Sequence, residues 1–273
     1  MTEHLIGSIA EELAALPFIQ GIVLGGSRAT GTAGPGSDID IGIYYDKNRL
    51  DLKALNHAAQ KLDDERREAL VCPEGEWGDW VNCGGWLMTE GYRTDLILRE
   101  TRRVRKCVGQ CEQGMISANY QTGHPHAYLN VMYRGELAAA RVLYSRDDDF
   151  LQLKKWAENY PDRLRHSLMD FFLFEARFSC SLAKEHAQEG DLYYVAGHLF
   201  RAVSALNQVL FAYNREYCLN EKKAAARIDT FPVKPAHYGR RVNGIFSLSE
   251  KSANESCIET EILIEETENL CGE

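Results

Sequence analysis

Hydrophobic residues recur along this chain with two different periods. Between Met1 and Leu16, the residues Leu5, Ile6, Ile9, Leu13 and Leu16 fall at helical spacing, interleaved with Glu3, Glu11 and Glu12. That spacing predicts an amphipathic first helix over about 3–16. Gly21-Ile22-Val23-Leu24 then reads as a buried strand (20–25). A second strand (38–45) is expected from Asp38 to Tyr45, where β-branched and aromatic residues alternate with polar ones. Leu52, Leu55, Ala58, Ala59 and Leu62 share one face of a helix expected over 51–67. Further strands are expected at 83–88 and 92–98, a helix at 128–140, and a short last strand at Val142-Leu143-Tyr144, which the acidic turn Asp147-Asp148-Asp149 ends.

From Leu151 onward the helical period dominates. One helix runs from Pro161 to about Glu189, and another from Leu192 to Arg215 after the Gly190-Asp191 turn. Pro232 and Pro235 interrupt the pattern, and a final acidic, amphipathic helix is expected from Ile258 to Leu270. The predicted class is therefore α+β, a small mixed β-sheet with flanking helices over 1–149 followed by an all-α helical bundle over 150–273.

Composition narrows the picture. With 273 residues, 45% of them hydrophobic and 26% charged, the chain fits one large or two ordinary globular domains. No apolar run approaches the length of a bilayer span. The acidic first segment does not resemble a signal peptide, so the expected location is cytoplasmic and a membrane partner is not expected. Eight cysteines include no Cys-x-x-Cys pair and read as free thiols. A net charge of −9 argues against nucleic acid as a partner, because phosphate backbones call for clustered lysine and arginine. The one basic cluster is Arg99, Arg102, Arg103, Arg105 and Lys106. It reads either as a solvated helix face or as a neutraliser of a triphosphate or a tRNA end. The broad acidic surface favours cationic small molecules.

The chemistry concentrates in two short stretches. Gly25-Gly26-Ser27-Arg28 forms a Gly/Ser turn after the first strand, and Ser37-Asp38-Ile39-Asp40-Ile41 opens the second. Period-2 geometry sends Asp38 and Asp40 to one face and Ile39, Ile41 and Ile43 to the other. Two carboxylates on one face repel each other unless a cation lies between them. Magnesium, which takes a few carboxylates together with substrate phosphates, is the natural cation. Tyr92-Arg93-Thr94-Asp95-Leu96-Ile97-Leu98 supplies another strand with a lone acid, Asp95, among apolar residues. Trp77, Trp80 and Trp86 lie in or beside a Gly-rich loop and belong either to the core or to a pocket for a nucleobase or substrate ring.

The Gly-Gly-Ser turn and the Asp-x-Asp pair together resemble the signature of the polymerase-β-like nucleotidyltransferase superfamily. That resemblance implies that Asp38, Asp40 and a third carboxylate, for which Asp95 is the candidate, hold Mg²⁺ against the triphosphate of ATP or another NTP. Asp95 would hold the second metal or take the proton from the acceptor hydroxyl. Gly25, Gly26, Ser27, Arg28 and Ser37 are the positions expected to meet the nucleotide. A sheet domain followed by a helical bundle is similar to the antibiotic nucleotidyltransferases acting on aminoglycosides and lincosamides. It resembles more closely a bacterial group of stand-alone nucleotidyltransferases that share His124-Pro125, Tyr133-x-Gly135-Glu136, Glu175-Ala176-Arg177, Gly197-His198-Leu199-Phe200-Arg201 and Asn220-Glu221-Lys222.

In aminoglycoside-modifying relatives the second domain provides an acidic base, and Glu175 is the candidate for that part. The competing reading of Glu175 is an internal ion pair, for instance with Arg201. The expected activity is transfer of an NMP, AMP from ATP first, to a hydroxyl of a small molecule such as an antibiotic. The alternatives are a transferase modifying a protein or tRNA, antitoxin-like, and an inactive nucleotide-binding protein. Some relatives share a dimeric site, which leaves a homodimer open.

Overall fold

The computed structural model describes residues 2–34, 36–249 and 252–272. The chain divides into two compact units with interleaved segments. The first takes residues up to Gly109 together with Asn119–Gly123 and Tyr133–Asn159. The second takes Gln110–Ala118, His124–Met132 and everything from Tyr160 onward.

The first unit follows the α+β expectation. Its elements begin with α1 (Thr2–Ala14), β1 (Ile19–Leu24), α2 (Gly26–Ala29), β2 (Ile39–Tyr45) and α3 (Leu52–Leu62). Next come β3 (Cys83–Thr89), β4 (Tyr92–Glu100) and α4 (Thr101–Glu112). Where the segments interleave, two short strands, β5 (Ala118–Asn119) and, from the second unit, β6 (Tyr128–Leu129), pair with each other. Then come α5 (Asn130–Ala139), β7 (Arg141–Ser145) and α6 (Asp148–Glu158). The main sheet has the order β3-β4-β2-β1-β7, with β2 and β4 parallel and the other neighbours antiparallel.

One face of this sheet is apolar throughout. Ile39, Ile41, Ile43, Leu96, Leu98, Ile22 and Leu24 are buried with Leu5, Ile9 and Leu13 of α1 and Leu55 and Ala59 of α3. Each such side chain contributes about 1.5–3 kcal/mol on burial. That drive turns the isoleucines of β2 inward and its aspartates to the opposite face. On that opposite face the Phe150 ring of α6 sits against Gly21, where a Cβ would lie 2.3 Å from the ring. Tyr44 and Phe150 approach to 5.0 Å between centroids. The aspartates stand beyond this packed half.

Local polar contacts explain where the elements depart from the sequence pattern. The helix expected over 51–67 stops at Leu62 because the next two acids are committed elsewhere. The buried Asp63 carboxylate accepts from Met88 N at 3.0 Å and from Arg67 Nε at 2.9 Å. Asp64 accepts from Glu90 N and Gly91 N, the two positive-φ residues of the β3–β4 turn. Apart from Arg99, the basic cluster, read as either a solvated helix face or a phosphate neutraliser, lies in α4, which starts at Thr101 with Glu100 accepting from Arg102 N and Arg103 N. The acidic turn at 147–149 begins a helix rather than only ending a strand, since the Asp147 side chain caps α6 through Asp149 N and Phe150 N.

The second unit is helical, with α7 (Asp162–His186), α8 (Leu192–Tyr213), α9 (Ala224–Ile228), α10 (Tyr238–Ile245) and α11 (Ala253–Gly272). Asp191 caps α8 by accepting from Tyr194 N. The helices α9 and α10 flank the stretch that holds Pro232 and Pro235, and α10 buries Tyr238, Val242 and Ile245 on one face. Asp229 ties the second to the first by accepting from Gly239 N at 3.1 Å. The apolar residues of α11 are divided, with Leu263 and Ile264 buried but Ile258 42% and Ile262 39% exposed. Thr260 and Thr267 are buried instead, because each hydroxyl is satisfied by the carbonyl four residues back. All eight cysteines are free thiols. Among the described residues, no helix is long and apolar enough to cross a membrane.

Candidate active site

The sheet register brings the sequence-predicted acids together. Asp40 of β2 lies directly beside Asp95 of β4, and Asp95 lies directly opposite Trp86 of β3. Residues paired in this way share a face. On the other side of Asp40 the Gly25 N–H donates to the Asp40 carbonyl at 2.8 Å. One row across the sheet therefore reads Gly25, Asp40, Asp95, Trp86. Asp38, two residues before Asp40, stands on the same face and is exposed.

The turn after β1 is shaped by glycine for a physical reason. Gly26 has φ +59, and a Cβ there would lie 1.8 Å from Asp40 Oδ2. Any side chain at this position would collide with the carboxylate, so backbone and Asp40 approach in a way only glycine permits. Ser27 follows in α2, and its hydroxyl has no hydrogen-bond partner among the described residues. Arg28 donates from Nε to the Asp38 carbonyl at 3.0 Å and from Nη2 to the Ser37 carbonyl, with its guanidinium 5.4 Å from the centre of the Tyr92 ring. Ser37 Oγ in turn accepts from Gly34 N. Arg28 and Ser37 thus hold the arm that carries Asp38.

Electrostatics mark the same place. Burial first, and then the charges of Asp40 and Asp38, together push the Asp95 carboxyl up to about 6 against the pull of Arg93. Arg93 was not singled out from the sequence. Its signal is its position two residues before Asp95, which puts both on one face of β4. Among the described residues, no three His, Cys, Asp or Glu side chains are gathered closely enough to cage a metal ion by themselves. Magnesium asks for less: one or two carboxylates, phosphate oxygens and its own waters. Neighbouring hard oxygens on one face, with the Asp95 carboxyl raised by burial and then by the charges of Asp40 and Asp38, fit that demand.

Trp86 is 63% exposed and stacks on Trp77, with ring centroids 4.7 Å apart and planes inclined by 22°. Trp77 fits closely over Gly84, where a Cβ would lie 2.3 Å from its ring. The loop bearing Trp77 is fixed by the buried Gln121. This side chain donates to the Trp77 carbonyl at 2.6 Å and accepts from Trp80 N and Val81 N. Gln121 is a further residue that the sequence pattern did not flag.

The basic cluster divides into separate roles. Arg99 is 5% exposed and pairs with Glu136 through both carboxylate oxygens. Arg103 lies over the Trp80 ring at 4.5 Å, and Arg105 pairs with Asp149. Arg102 and Lys106 remain exposed.

Residues 6–81, running from α1 to the loop before β3, match the family model of the nucleotidyltransferase domain. The chain carries a nucleotidyltransferase domain. The matched stretch includes Gly25, Gly26, Ser27, Asp38 and Asp40, and transfer of an NMP from an NTP donor is the activity of such a domain. No curated protein matches the sequence. A solved structure described as a nucleotidyltransferase-like protein from Exiguobacterium sibiricum 255-15 aligns with 99% of this chain and 78% of its own. The identity is 13% and the TM-score 0.47, a likeness too slight to carry an argument.

Outside the nucleotidyltransferase domain, the second unit gathers several of the motif residues. Glu175 of α7, its side chain 11% exposed, meets His126 Nε2 at 2.9 Å and Arg201 Nε of α8 at 2.7 Å through the same oxygen. His126 N also donates to Glu221 Oε1 at 3.0 Å. The ion pair with Arg201 is thus present. His198, one turn before Arg201, packs on Tyr194 at 4.4 Å, and burial holds its pKa below the usual histidine range.

Proposed function

We propose that this chain is a magnesium-dependent nucleotidyltransferase that moves the NMP of an NTP, ATP first, to a hydroxyl of a small molecule. The observation that carries the reading is the in-register placement of Asp40 beside Asp95, with Gly26 pressed against the Asp40 carboxylate. In this reading Gly25, Gly26 and Ser27 receive the triphosphate, where glycine allows the phosphate oxygens to approach main-chain N–H groups. Asp38, Asp40 and Asp95 would hold magnesium, which neutralises the charge that builds up on the phosphate oxygens. Asp95, in register beside Asp40, takes the proton of the attacking hydroxyl. A bond forms from the acceptor oxygen to the α-phosphorus as the bond to pyrophosphate breaks. Arg28 and Ser37 serve by holding the Asp38 arm.

Glu175 we read as an internal partner of His126 and Arg201 rather than as a base, since both contacts engage its carboxylate. Hydroxylated cationic antibiotics are the first acceptors to try, given the net charge of −9. The test is pyrophosphate release from each NTP with magnesium and an acceptor panel, with Asp40→Ala in parallel. Removing a metal carboxylate should slow transfer by about 10³-fold or more. Full turnover by Asp40→Ala would remove the assignment.

A further inference from the structure

We propose that the stacked pair Trp86 and Trp77 is the acceptor platform of this enzyme, and that it receives the apolar face of a sugar-type ring carrying the attacking hydroxyl. The inference rests on the transferase reading above and adds the acceptor's chemical class. Its basis is the order of groups across the sheet. Gly25 and the phosphate-receiving turn stand at one end of the row, Asp40 and Asp95 in the middle, and Trp86 at the other end. Attacking and leaving oxygens lie in line on opposite sides of the reacting phosphorus. With pyrophosphate leaving on the Gly25 side, the acceptor enters from the side of Asp95 and Trp86.

Trp86 has the form such a subsite needs. A tryptophan 63% exposed in the middle of a sheet strand leaves most of its ring open to a ligand. It is also held rigid, because Trp77 backs it, Gly84 seats Trp77, and Gln121 fixes the loop. A preset ring surface loses little entropy when a ligand stacks on it.

Distance then selects the ligand. Cross-strand neighbours such as Trp86 and Asp95 have Cβ atoms about 5 Å apart. The hydroxyl that gives its proton to Asp95 and the face that lies on Trp86 must therefore belong to the same ring. A hydroxyl at the end of a flexible chain, as on a serine side chain or a linear polyol, offers no such face. Nucleobases offer the face but no alcohol. Sugar rings present axial C–H bonds to the indole and a hydroxyl rim to the carboxylate at once.

The test is saturation-transfer NMR with methyl α-D-glucopyranoside as the ring probe and sorbitol as the open-chain probe. Wild-type protein is compared with Trp86→Ala and with Trp86→Leu, which keeps apolar area but removes the flat face. Saturation is expected on the ring C–H protons of the glucopyranoside and not on sorbitol. It should fall about tenfold in both variants and persist when Mg-ATP is added. Absence of a ring signal in the wild type, equal signals in the variants, or equal saturation of sorbitol would overturn the proposal. Displacement of the ring by Mg-ATP would overturn it too, since Trp86 would then hold the donor's base. An unchanged thermal shift by Mg-ATP in Trp86→Leu shows that the fold and donor site are intact. Failure of the wild type to release pyrophosphate would count against the transferase reading alone and leave the ring contact separately readable.

Discussion

Replacing Asp95 by asparagine should make the metal-free protein more stable at neutral pH, while abolishing transfer. The reason is the cost of a half-buried charged carboxylate, to which repulsion from Asp40 and Asp38 on the same sheet face adds. Burial and these charges raise the Asp95 pKa from 3.8 to about 6. Each tenfold change in proton affinity is worth ~1.4 kcal/mol, so the upper bound on the penalty is about 3 kcal/mol. Asp95 is only half-buried, and water screens part of the repulsion, which leaves about 1 kcal/mol. The folded chain holds the proton more tightly than the unfolded one. For this group, stability is therefore greatest below pH 3.8, falls as pH rises toward 6, and carries the full penalty above that. Asparagine is nearly isosteric, and Asp95 makes no side-chain hydrogen bond among the described residues that the change would break. Asp95→Asn should thus melt about 2–4 °C above the wild type at pH 7.5, and the gap should close near pH 4. Differential scanning fluorimetry across pH, with chelator present, measures both. A variant that melts at or below the wild type at pH 7.5, or a gap that does not depend on pH, would refute this charging penalty. Magnesium should raise the wild-type melting temperature more than that of Asp95→Asn.

Three further substitutions test other parts of the structure. Gly26→Ala forces a Cβ onto Asp40 Oδ2 and an L side chain into positive φ. It should cost about 1 kcal/mol of stability but at least a hundredfold in turnover, because the carboxylate must move. Glu136→Ala leaves Arg99 buried and charged, and should lower stability by about 3 kcal/mol as read by urea denaturation. Glu175→Gln weakens the contacts to His126 and Arg201 and should lower the melting temperature by several degrees, with pyrophosphate release retained. A variant that keeps its stability and loses transfer would instead make Glu175 part of the chemistry.

Much of the first unit could be read from local pattern. The alternation from Asp38 to Tyr45 places acids and isoleucines on opposite faces whatever surrounds the strand, and burial of Ile39, Ile41 and Ile43 follows from it. Helix ends were less legible. Asp63, Asp64, Glu100 and Asp147 look alike as exposed acids in a sequence, yet each is bound to a particular backbone N–H, two of them across the β3–β4 turn. The exposed isoleucines of α11 show the same limit, since a buried threonine satisfied by its own helix leaves no apolar trace.

The sequence by itself determined the Gly-Gly-Ser turn, the shared face of Asp38 and Asp40, and the α+β class, because these depend on periods of two and of three to four residues. Tertiary structure alone decided that β4 runs parallel beside β2 with Asp95 level with Asp40, and that Trp86 completes the row. It also decided that Arg99 is enclosed with Glu136 while Arg102 stays in water. Strand pairing and ion-pair choice join residues tens of positions apart. They are settled by how whole faces fit and by which charges lose their water, and neither quantity is written in any short stretch of chain.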